Sequence, residues 1–224
     1  MPKIEEKIYC IYQREWEILL AKAGMEKTFG LVFPKKEREK AEVVQTLYQM
    51  VKKGMLTPEG DSLEITYDYK ELLSKVRQAG AAFHFMQRQE KEWEHGFAYM
   101  GENFTVFTCS GTRKEAFEVR LIPRENWAGY LWEKGVFPSY RTEAGTVKKE
   151  EISITQTESQ EFMLVEEVTA ILAKMDLISR KETGWIVFLE EGGKQFLFWK
   201  NETVHKVPYT MEGFQKMLEE EFLE

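Results

Sequence analysis

The sequence predicts an α+β fold in which antiparallel sheets are covered by helices, and three observations indicate this class. Runs rich in β-branched and aromatic residues cluster in two parts of the chain, residues 81–122 and 185–208. Short turn signals, such as Gly192-Gly193, separate these runs, which are therefore expected to form antiparallel meanders. Amphipathic runs with helical spacing flank the clusters, and a sheet needs such helices to cover its apolar faces.

Before the first cluster, the chain predicts two strands and three helices. "KIYCIY" predicts a strand over residues 8–12, and "REWEILLAKAG" predicts a helix that ends at Gly24. "TFGLVFP" is expected to be extended as far as Pro34. "KKEREKAEVVQTLYQMVKKG" predicts a second helix, which Gly54 ends. After the turn "TPEGD" and the strand "LEITY", "DYKELLSKVRQAG" predicts a third helix with Asp68 or a neighbour as its N-cap.

The two clusters and the segment between them complete the predicted elements. Four strands are expected over residues 81–88, 96–100, 104–109 and 116–122, and Pro123 then opens the helix "RENWAGYLWEKG". The next segment, residues 139–160, is polar and predicts a linker or long loop, although "EISIT" could pair as a strand. "EFMLVEEVTAILAKMDL" predicts a helix over residues 161–177. The strands "WIVFLEE", "KQFLFWK" and "VHKVP" and the helix "TMEGFQKMLEEEFLE" follow it.

The chain also predicts a degenerate internal duplication. The apolar residues of "VVQTLYQMVKKGML", residues 43–56, have the same offsets as those of "LVEEVTAILAKMDL", residues 164–177. In each half, a strand pair ends in a proline that opens a helix, Pro123 or Pro208. We therefore expect two helix–strands–helix units related by a pseudo-twofold axis, which could also form one compact domain. The predicted boundaries are an N-terminal unit, a linker or long loop and a C-terminal unit, residues 1–138, 139–160 and 161–224.

The helix within residues 43–56 leaves a second interpretation open. An amphipathic helix, a glycine stop and a short strand are also the pattern of a winged-helix DNA-binding domain. In a winged helix the strands form a small wing, whereas here a larger sheet follows and needs the helix as its cover. The cluster "KKEREK", residues 35–40, is interrupted by two glutamates, as is typical of a solvated helix start. We accordingly expect these helix residues in the core: Val43, Leu47, Met50 and Val51.

Composition and charge exclude several classes of protein. The 224 residues carry a formal net charge of -7, whereas nucleic-acid binders usually have a basic face, so no nucleic-acid partner is expected. The two cysteines, Cys10 and Cys109, form no CxxC motif and no disulfide framework. No apolar run is long enough to span a bilayer, and the N-terminus does not resemble a signal peptide. These features predict a cytoplasmic protein.

The sequence predicts no catalytic residue, no metal site and no cofactor. Neither His84 nor His205 has a second ligand at i+2 or i+4. "EWEH" places carboxylates near His95 but is more typical of a polar loop. Cys109 has no base in its surroundings that would make it a nucleophile. The chain contains none of the glycine-rich phosphate-binding motifs and no GxSxG motif.

A protein-binding surface is predicted in "QRQEKEWEHGF", residues 87–97, which is expected to be a polar loop between two strands. Tryptophan is a frequent anchor in protein interfaces. Two interpretations of Trp93 stay open, because the indole either anchors a partner or caps the end of the sheet. The candidate partner-binding residues are Trp93, His95 and Phe97, and the expected partner is a helical protein.

Several segments resemble the EspG family, the cytosolic chaperones of ESX (type VII) secretion systems. They are "EWEILL", "LYQMVKKGMLTPEGDSLEITYDYKELLSKV" and "HGFAYMGENFTVFTC…FEVRLIPRENWAGYLWEKGVFP". The likeness spans most of the chain as a pattern of elements. It implies a quasi-twofold α+β fold that binds a secretion substrate without catalysis. The sequence thus predicts a non-enzymatic chaperone or adaptor for type VII secretion substrates, with a winged-helix transcription regulator or scaffold as the alternative. It leaves the client and the oligomeric state open.

Overall fold

The computed structural model of the protein describes residues 8–25, 39–89, 92–102, 104–110, 116–133, 150–152, 165–179, 181–200 and 204–219. Helices and antiparallel strands make an α+β fold, which confirms the predicted class. Among these residues, no helix combines the length and the apolar character that crossing a membrane requires.

Twelve strands lie within the described ranges, and ten of them form one sheet. They are β1 (Ile8–Tyr12), β2 (Leu56–Glu59), β3 (Ser62–Ile65), β4 (Ala81–Gln89), β5 (Glu92–Met100), β6 (Phe104–Ser110), β7 (Ala116–Pro123), β8 (Glu150–Ile152), β9 (Val168–Asp176), β10 (Glu182–Glu191), β11 (Lys194–Lys200) and β12 (Val204–Pro208). The order in the large sheet is β1-β7-β6-β5-β4-β9-β10-β11-β12-β8, and all neighbours are antiparallel. β2 and β3 form a separate hairpin.

Three helices precede the first meander in the chain, and a single helix follows each meander. They are α1 (Gln13–Lys22), α2 (Lys40–Lys52), α3 (Tyr67–Gln78), α4 (Trp127–Glu133) and α5 (Met211–Met217), with a 3-10 turn (Arg124–Asn126) before α4. α4 follows β7 and α5 follows β12. In both places a proline ends the strand just before the helix, as predicted.

The first predicted meander is confirmed, since β4, β5, β6 and β7 pair in sequence order. In the second, β10 and β11 are joined by Gly192 and Gly193, both with positive φ, as the turn signal predicts. "EISIT" does contribute a strand, β8, which pairs with β12. The rest of the predicted linker lies outside the described residues, and so does "TFGLVFP".

The predicted helix over residues 161–177 is wrong. Residues 168–176 of it form β9, which pairs with β4 on one side and β10 on the other. Ile171 and Leu172 are both fully buried although they point to opposite faces. A strand buried on both faces has a continuous apolar run, and such a run has no period that separates it from a buried helix.

Because residues 168–176 are a strand, the two segments that the predicted duplication aligns are not both helices. "VVQTLYQMVKKGML" begins within α2, whereas the aligned "LVEEVTAILAKMDL" contains β9, so their common register has no structural meaning. The order of elements still has a regularity, because four antiparallel strands precede a helix both in β4–α4 and in β9–α5. The pseudo-twofold repeat and the proposed unit boundaries stay predictions.

Both faces of the large sheet are covered with apolar side chains. On the face that contacts α4 and α5, Trp127 lies 4.9 Å from Phe83, and Phe214 lies 5.3 Å from Phe188, measured between ring centroids. On the opposite face, strand residues such as Tyr99 share a core with α1, α2 and α3. We call these the α4–α5 face and the α1–α3 face. A further cluster on the α1–α3 face, the β9–β10 cluster, consists of Met86, Val168, Ile171, Trp185, Val187 and Val204.

α2 contributes to the core through only part of its apolar stripe. Met50 is fully buried, and Leu47 and Val51 are half-buried against the same core, as predicted. Val43 is half-buried, and Val44 is 64% exposed. The segment "TPEGD" is predicted to be a turn, but three of its five residues belong to β2, which forms a hairpin with β3.

The N-cap of α3 is Thr66 rather than Asp68. Thr66 has an extended backbone just before the first helical residue. Its hydroxyl donates a hydrogen bond of 2.7 Å to the carbonyl of Gly54, the glycine that follows α2. Asp68 lies in the first turn of the helix, where its charge still complements the helix dipole. The side chain at the cap therefore links α3 to the end of α2.

An ion pair between a buried carboxylate and a partly exposed ammonium joins α1 to the end of α2. The carboxylate of Glu15, whose side chain is 5% exposed, accepts a bond of 2.6 Å from the ammonium of Lys53. Its second oxygen accepts a bond of 2.9 Å from the backbone N–H of Tyr12, at the start of α1. The Lys53 ammonium also lies 4.3 Å from the centre of the Tyr12 ring. One carboxylate thus accepts a backbone hydrogen bond at the helix start and also pairs with the ammonium of Lys53.

We predict that Glu15→Ala lowers the free energy of unfolding by about 2–3 kcal/mol, because it removes two charge-assisted hydrogen bonds at a buried position. Chemical denaturation measures the change. Arg14→Ala is the matched control, because Arg14 and Glu42 form an ion pair of 3.6 Å whose side chains are about half exposed. Arg14→Ala should lower the free energy of unfolding by less than about 1 kcal/mol. Equal losses in the two variants would contradict a structural role for the Glu15–Lys53 pair.

Candidate protein-binding surface

The predicted loop at residues 87–97 is mostly strand. β4 continues to Gln89 and β5 begins at Glu92, so only residues 90 and 91 between them lie outside the described residues. In the alternation of β5, Trp93, His95 and Phe97 point to one face, and Glu92 and Glu94 point to the other. Aromatic side chains therefore alternate with charged or small residues along β5. This period of two is the signal of a strand in the sequence, and the high charge of the segment conceals it.

The three predicted partner-binding residues each lie opposite a residue of β4. Arg88 lies opposite Trp93, Met86 opposite His95, and His84 opposite Phe97. Directly opposite side chains on antiparallel strands are in contact distance. We define the hairpin surface as the five side chains of this group that are not fully buried: His84, Arg88, Trp93, His95 and Phe97.

Trp93 lies between the two interpretations that the sequence left open. Its side chain is half-buried and packs against the β9–β10 cluster, so it is not a free loop tip. The guanidinium of Arg88 lies 5.0 Å from the centre of its ring, within cation–π distance. Arg88 also donates a hydrogen bond of 2.6 Å to the backbone carbonyl of Glu166, just before β9. The indole is therefore fixed from two sides and keeps one exposed part.

His84 and His95 form a hydrogen-bonded pair. Nε2 of His84 lies 2.9 Å from Nδ1 of His95, and the ring centroids are 5.1 Å apart at an interplanar angle of 21°. With facing nitrogens and that centroid distance, the rings lie nearly edge to edge in one plane. One nitrogen must donate and the other accept, so the pair holds a single proton between them. Phe97 stacks on His84 with centroids 4.6 Å apart and an angle of 10°.

The electrostatics of the pair favour its uncharged form. Burial, and then the neighbouring His95, lower the pKa of His84 to about 4. Burial also lowers the pKa of His95, which is the more exposed of the two. At neutral pH the hairpin surface thus presents two neutral imidazoles and a phenyl ring beside a single cation, the guanidinium that covers Trp93.

The other candidate chemistry does not assemble in the described part of the chain. The strand alternation turns Glu92 and Glu94 away from His95, so "EWEH" does not converge on a metal. Within the described ranges, no group of three or more His, Cys, Asp or Glu side chains is placed to hold a metal ion. His205 is buried and stacks on Trp199 at 4.7 Å, as a structural side chain does. The side chain of Cys109 lies outside the description.

Sequence reasoning found three members of the hairpin surface and missed His84 and Arg88 as members. Both lie on β4, whose pairing with β5 determines the opposite residue at each position. A hairpin with two residues between the strands would have given this register from the sequence alone. The predicted start of β5 at residue 96 prevented that inference.

We predict that protonating the histidine pair destabilises the protein. The folded-state pKa of His84, about 4, lies below the unfolded value of about 6.5, so the unfolded chain binds more protons between these two values. Stability is then complete above about pH 6.5 and falls as the pH is lowered towards 4. Denaturation at several pH values should show a smaller loss for His84→Phe, which keeps the ring stack but cannot titrate. An imidazole NMR titration with the His84 midpoint at or above 6.5 would contradict the expectation.

We also predict that the purified, untagged protein binds no stoichiometric transition metal. The two facing imidazole nitrogens are engaged with each other, and the carboxylates of β5 point away from them. Elemental analysis measures the metal content, and a value near one zinc per chain would refute the prediction. It would direct attention back to His84, His95 and Cys109 as ligands.

Neither of two comparisons with known proteins assigns the chain to a family: no protein-family model matches it, and no curated protein matches it.

Proposed function

We propose that the protein is a non-enzymatic, cytoplasmic adaptor or chaperone, and that its hairpin surface binds a helical protein client. The observation that carries the proposal is the half-buried Trp93, held between the Arg88 guanidinium and the β9–β10 cluster. Tryptophan and arginine dominate the energetic anchors of protein interfaces. An anchor that is already fixed loses little conformational entropy when a partner binds.

The surroundings of Trp93 suit a protein partner better than a small polar ligand. The hairpin surface lies on two strands in the middle of the large sheet, with β6 and β9 on either side. Its rings form a row of uncharged aromatic side chains, which would contact an apolar stripe of a client helix. The exposed carboxylates of Glu92 and Glu94 lie on the opposite face of β5, so the row of rings has no acidic neighbour on that strand.

The type VII secretion assignment rests on the resemblance to the EspG family. That resemblance implies a chaperone with a quasi-twofold α+β fold, and the structure contains the α+β class with two strand meanders each followed by a helix. The segments that carry the resemblance include β5 and α3. A small helical secreted protein encoded beside this gene would be the first client to test.

One observation favours the alternative, a winged-helix regulator. α2 is followed at once by the two-stranded hairpin β2–β3, in the position of a wing. Against it, Met50 is buried in the core, and Lys53 is engaged by Glu15 instead of being free for a phosphate. A DNA-binding assay at several salt concentrations separates the two functions, because phosphate contacts produce a steep salt dependence.

We predict that Trp93→Ala weakens client binding about thirtyfold, equivalent to about 2 kcal/mol, as truncation of an interface anchor does. Because the side chain is half-buried, the same change should cost less stability than the roughly 3–5 kcal/mol of a fully buried tryptophan. Titration calorimetry with the co-purified client gives the first quantity, and thermal unfolding gives the second.

Two matched variants interpret the result. Glu94→Ala changes an exposed neighbour on the opposite face and should leave binding unchanged. Trp93→Phe keeps an aromatic ring and should retain most of the stability while weakening binding by less than the alanine variant. If Trp93→Ala lowers the melting temperature but captures the client as well as the wild type, Trp93 is structural and the surface assignment is wrong.

A further inference from the structure

A cleft with a cationic rim lies between the end of α1, the strand β3 and the helix α3. Its volume is about 340 Å³. Three cations form the rim. Lys22 is the last residue of α1, and Lys70 and Arg77 belong to α3. Among the described residues that line the cleft, Glu64 of β3 is the only carboxylate, so they have a formal surplus of positive charge in a chain whose net charge is -7. This cleft is separate from the hairpin surface.

The floor of the cleft is apolar. Ile65 and Leu73 are buried members of the core on the α1–α3 face, and half-buried Ala23 packs against the same core. Ser74 lines the cleft and is exposed. A ligand that fits this lining therefore has an apolar group over the floor of the cleft and negative charges beside the cations of the rim.

The two lysines of the rim have their charge available. Neither Lys22 nor Lys70 forms an ion pair with another residue in the described ranges. The nearby carboxylate of Glu71 lies 3.7 Å from the Lys75 ammonium instead. Arg77 differs, because its guanidinium donates to the carbonyl of Ala23 at the end of α1. Lys22 and Lys70 are thus the residues that a ligand would engage first.

Helix electrostatics explain two of these cations but not the third. Lys22 and Arg77 lie in the last turns of α1 and α3, where positive charge is favourable. Lys70 is the fourth residue of α3, near the end where the helix dipole disfavours a cation. Its position in the rim therefore has no explanation in the stability of its own helix.

The spacing of the cations along α3 matches the length of a short extended peptide. Lys70 and Arg77 are seven residues apart on one side of α3, which separates their Cα atoms by roughly 10 Å. Three residues of an extended chain span roughly 10 Å, so carboxylates on both sides of an apolar residue would reach both ends.

We propose that this cleft binds an acidic protein segment in which carboxylates flank an apolar side chain. The apolar side chain lies over Leu73 and Ile65. One carboxylate pairs with Lys70, and the other pairs with Lys22 at the opposite end of the cleft, where Arg77 contacts the neighbouring Ala23. Partly desolvated pairs at the edge of an apolar floor are screened less by salt than fully exposed pairs. The site gives the protein a second contact for a partner, independent of the hairpin surface.

The test is fluorescence anisotropy with a labelled peptide of sequence Glu-Glu-Leu-Glu-Glu, titrated with the full-length protein. The wild type should bind, and the double variant Lys22→Glu/Lys70→Glu should bind at least tenfold more weakly. The control Lys181→Glu/Lys194→Glu makes the same change in net charge at two exposed positions outside the cleft and should stay within about twofold of the wild type. Ser74→Trp, which fills the cleft and leaves its charges intact, should also abolish binding.

Three results of the peptide titrations would overturn the proposal. They are no saturable binding by the wild type, an equal loss in both double variants, and undiminished binding by Ser74→Trp. Competition by inorganic phosphate at the same concentration as peptide would also overturn it, since it would assign the cleft to a simple anion. Trp93→Ala should bind the peptide as the wild type does, which distinguishes this site from the hairpin surface. Thermal unfolding of each variant confirms that it is folded.

Discussion

Seven cross-strand pairs between β4 and β9 hold the two strand meanders in one sheet, and the remaining structure depends on them. β9 follows β8 in the chain but pairs with β4, so this contact joins residues about ninety positions apart. It places β9 in the interior of the sheet, with α4 and α5 against one face and the β9–β10 cluster on the other. Such a strand must be apolar on both faces, which is why Ile171 and Leu172 are both fully buried.

The same pairing explains where sequence reasoning succeeded and where it failed. Local signals were sufficient for β10 and β11, since two glycines with positive φ define their turn, and for α4 and α5, since a proline ends the strand before each. They were insufficient for β9, because a continuous apolar run has the same apolar spacing in a strand and in a helix, and only the partner strands decide between them. The start of β5 was missed for a different reason. Its charged residues all point to one face, and charge content concealed the alternation.

The candidate site follows from this geometry as well. Trp93, His95 and Phe97 could be named from residue type, but their neighbours could not, because His84 and Arg88 join them only through the register of β4 and β5. Register also decides the chemistry. It brings two imidazole nitrogens to 2.9 Å, where His95 adds to the effect of burial in lowering the pKa of His84. His84 and His95 lie eleven residues apart in the sequence, where nothing indicates that they interact. In the fold they form the hydrogen-bonded pair whose protonation changes the charge of the hairpin surface.

The first group of helices shows how charge is distributed between stability and recognition. Lys53 at the end of α2 is engaged by the buried Glu15, so the helix that most resembles a DNA-reading element has its last cation directed into the protein. Lys22 and Lys70 have no such partner among the described residues, and they lie around a cleft of α1 and α3 instead. The free positive charge of this region therefore faces a concave, apolar-floored site. A concave site with a cationic rim and an apolar floor fits the short acidic segment that we propose, whereas a nucleic-acid backbone is bound by many cations that contact successive phosphates.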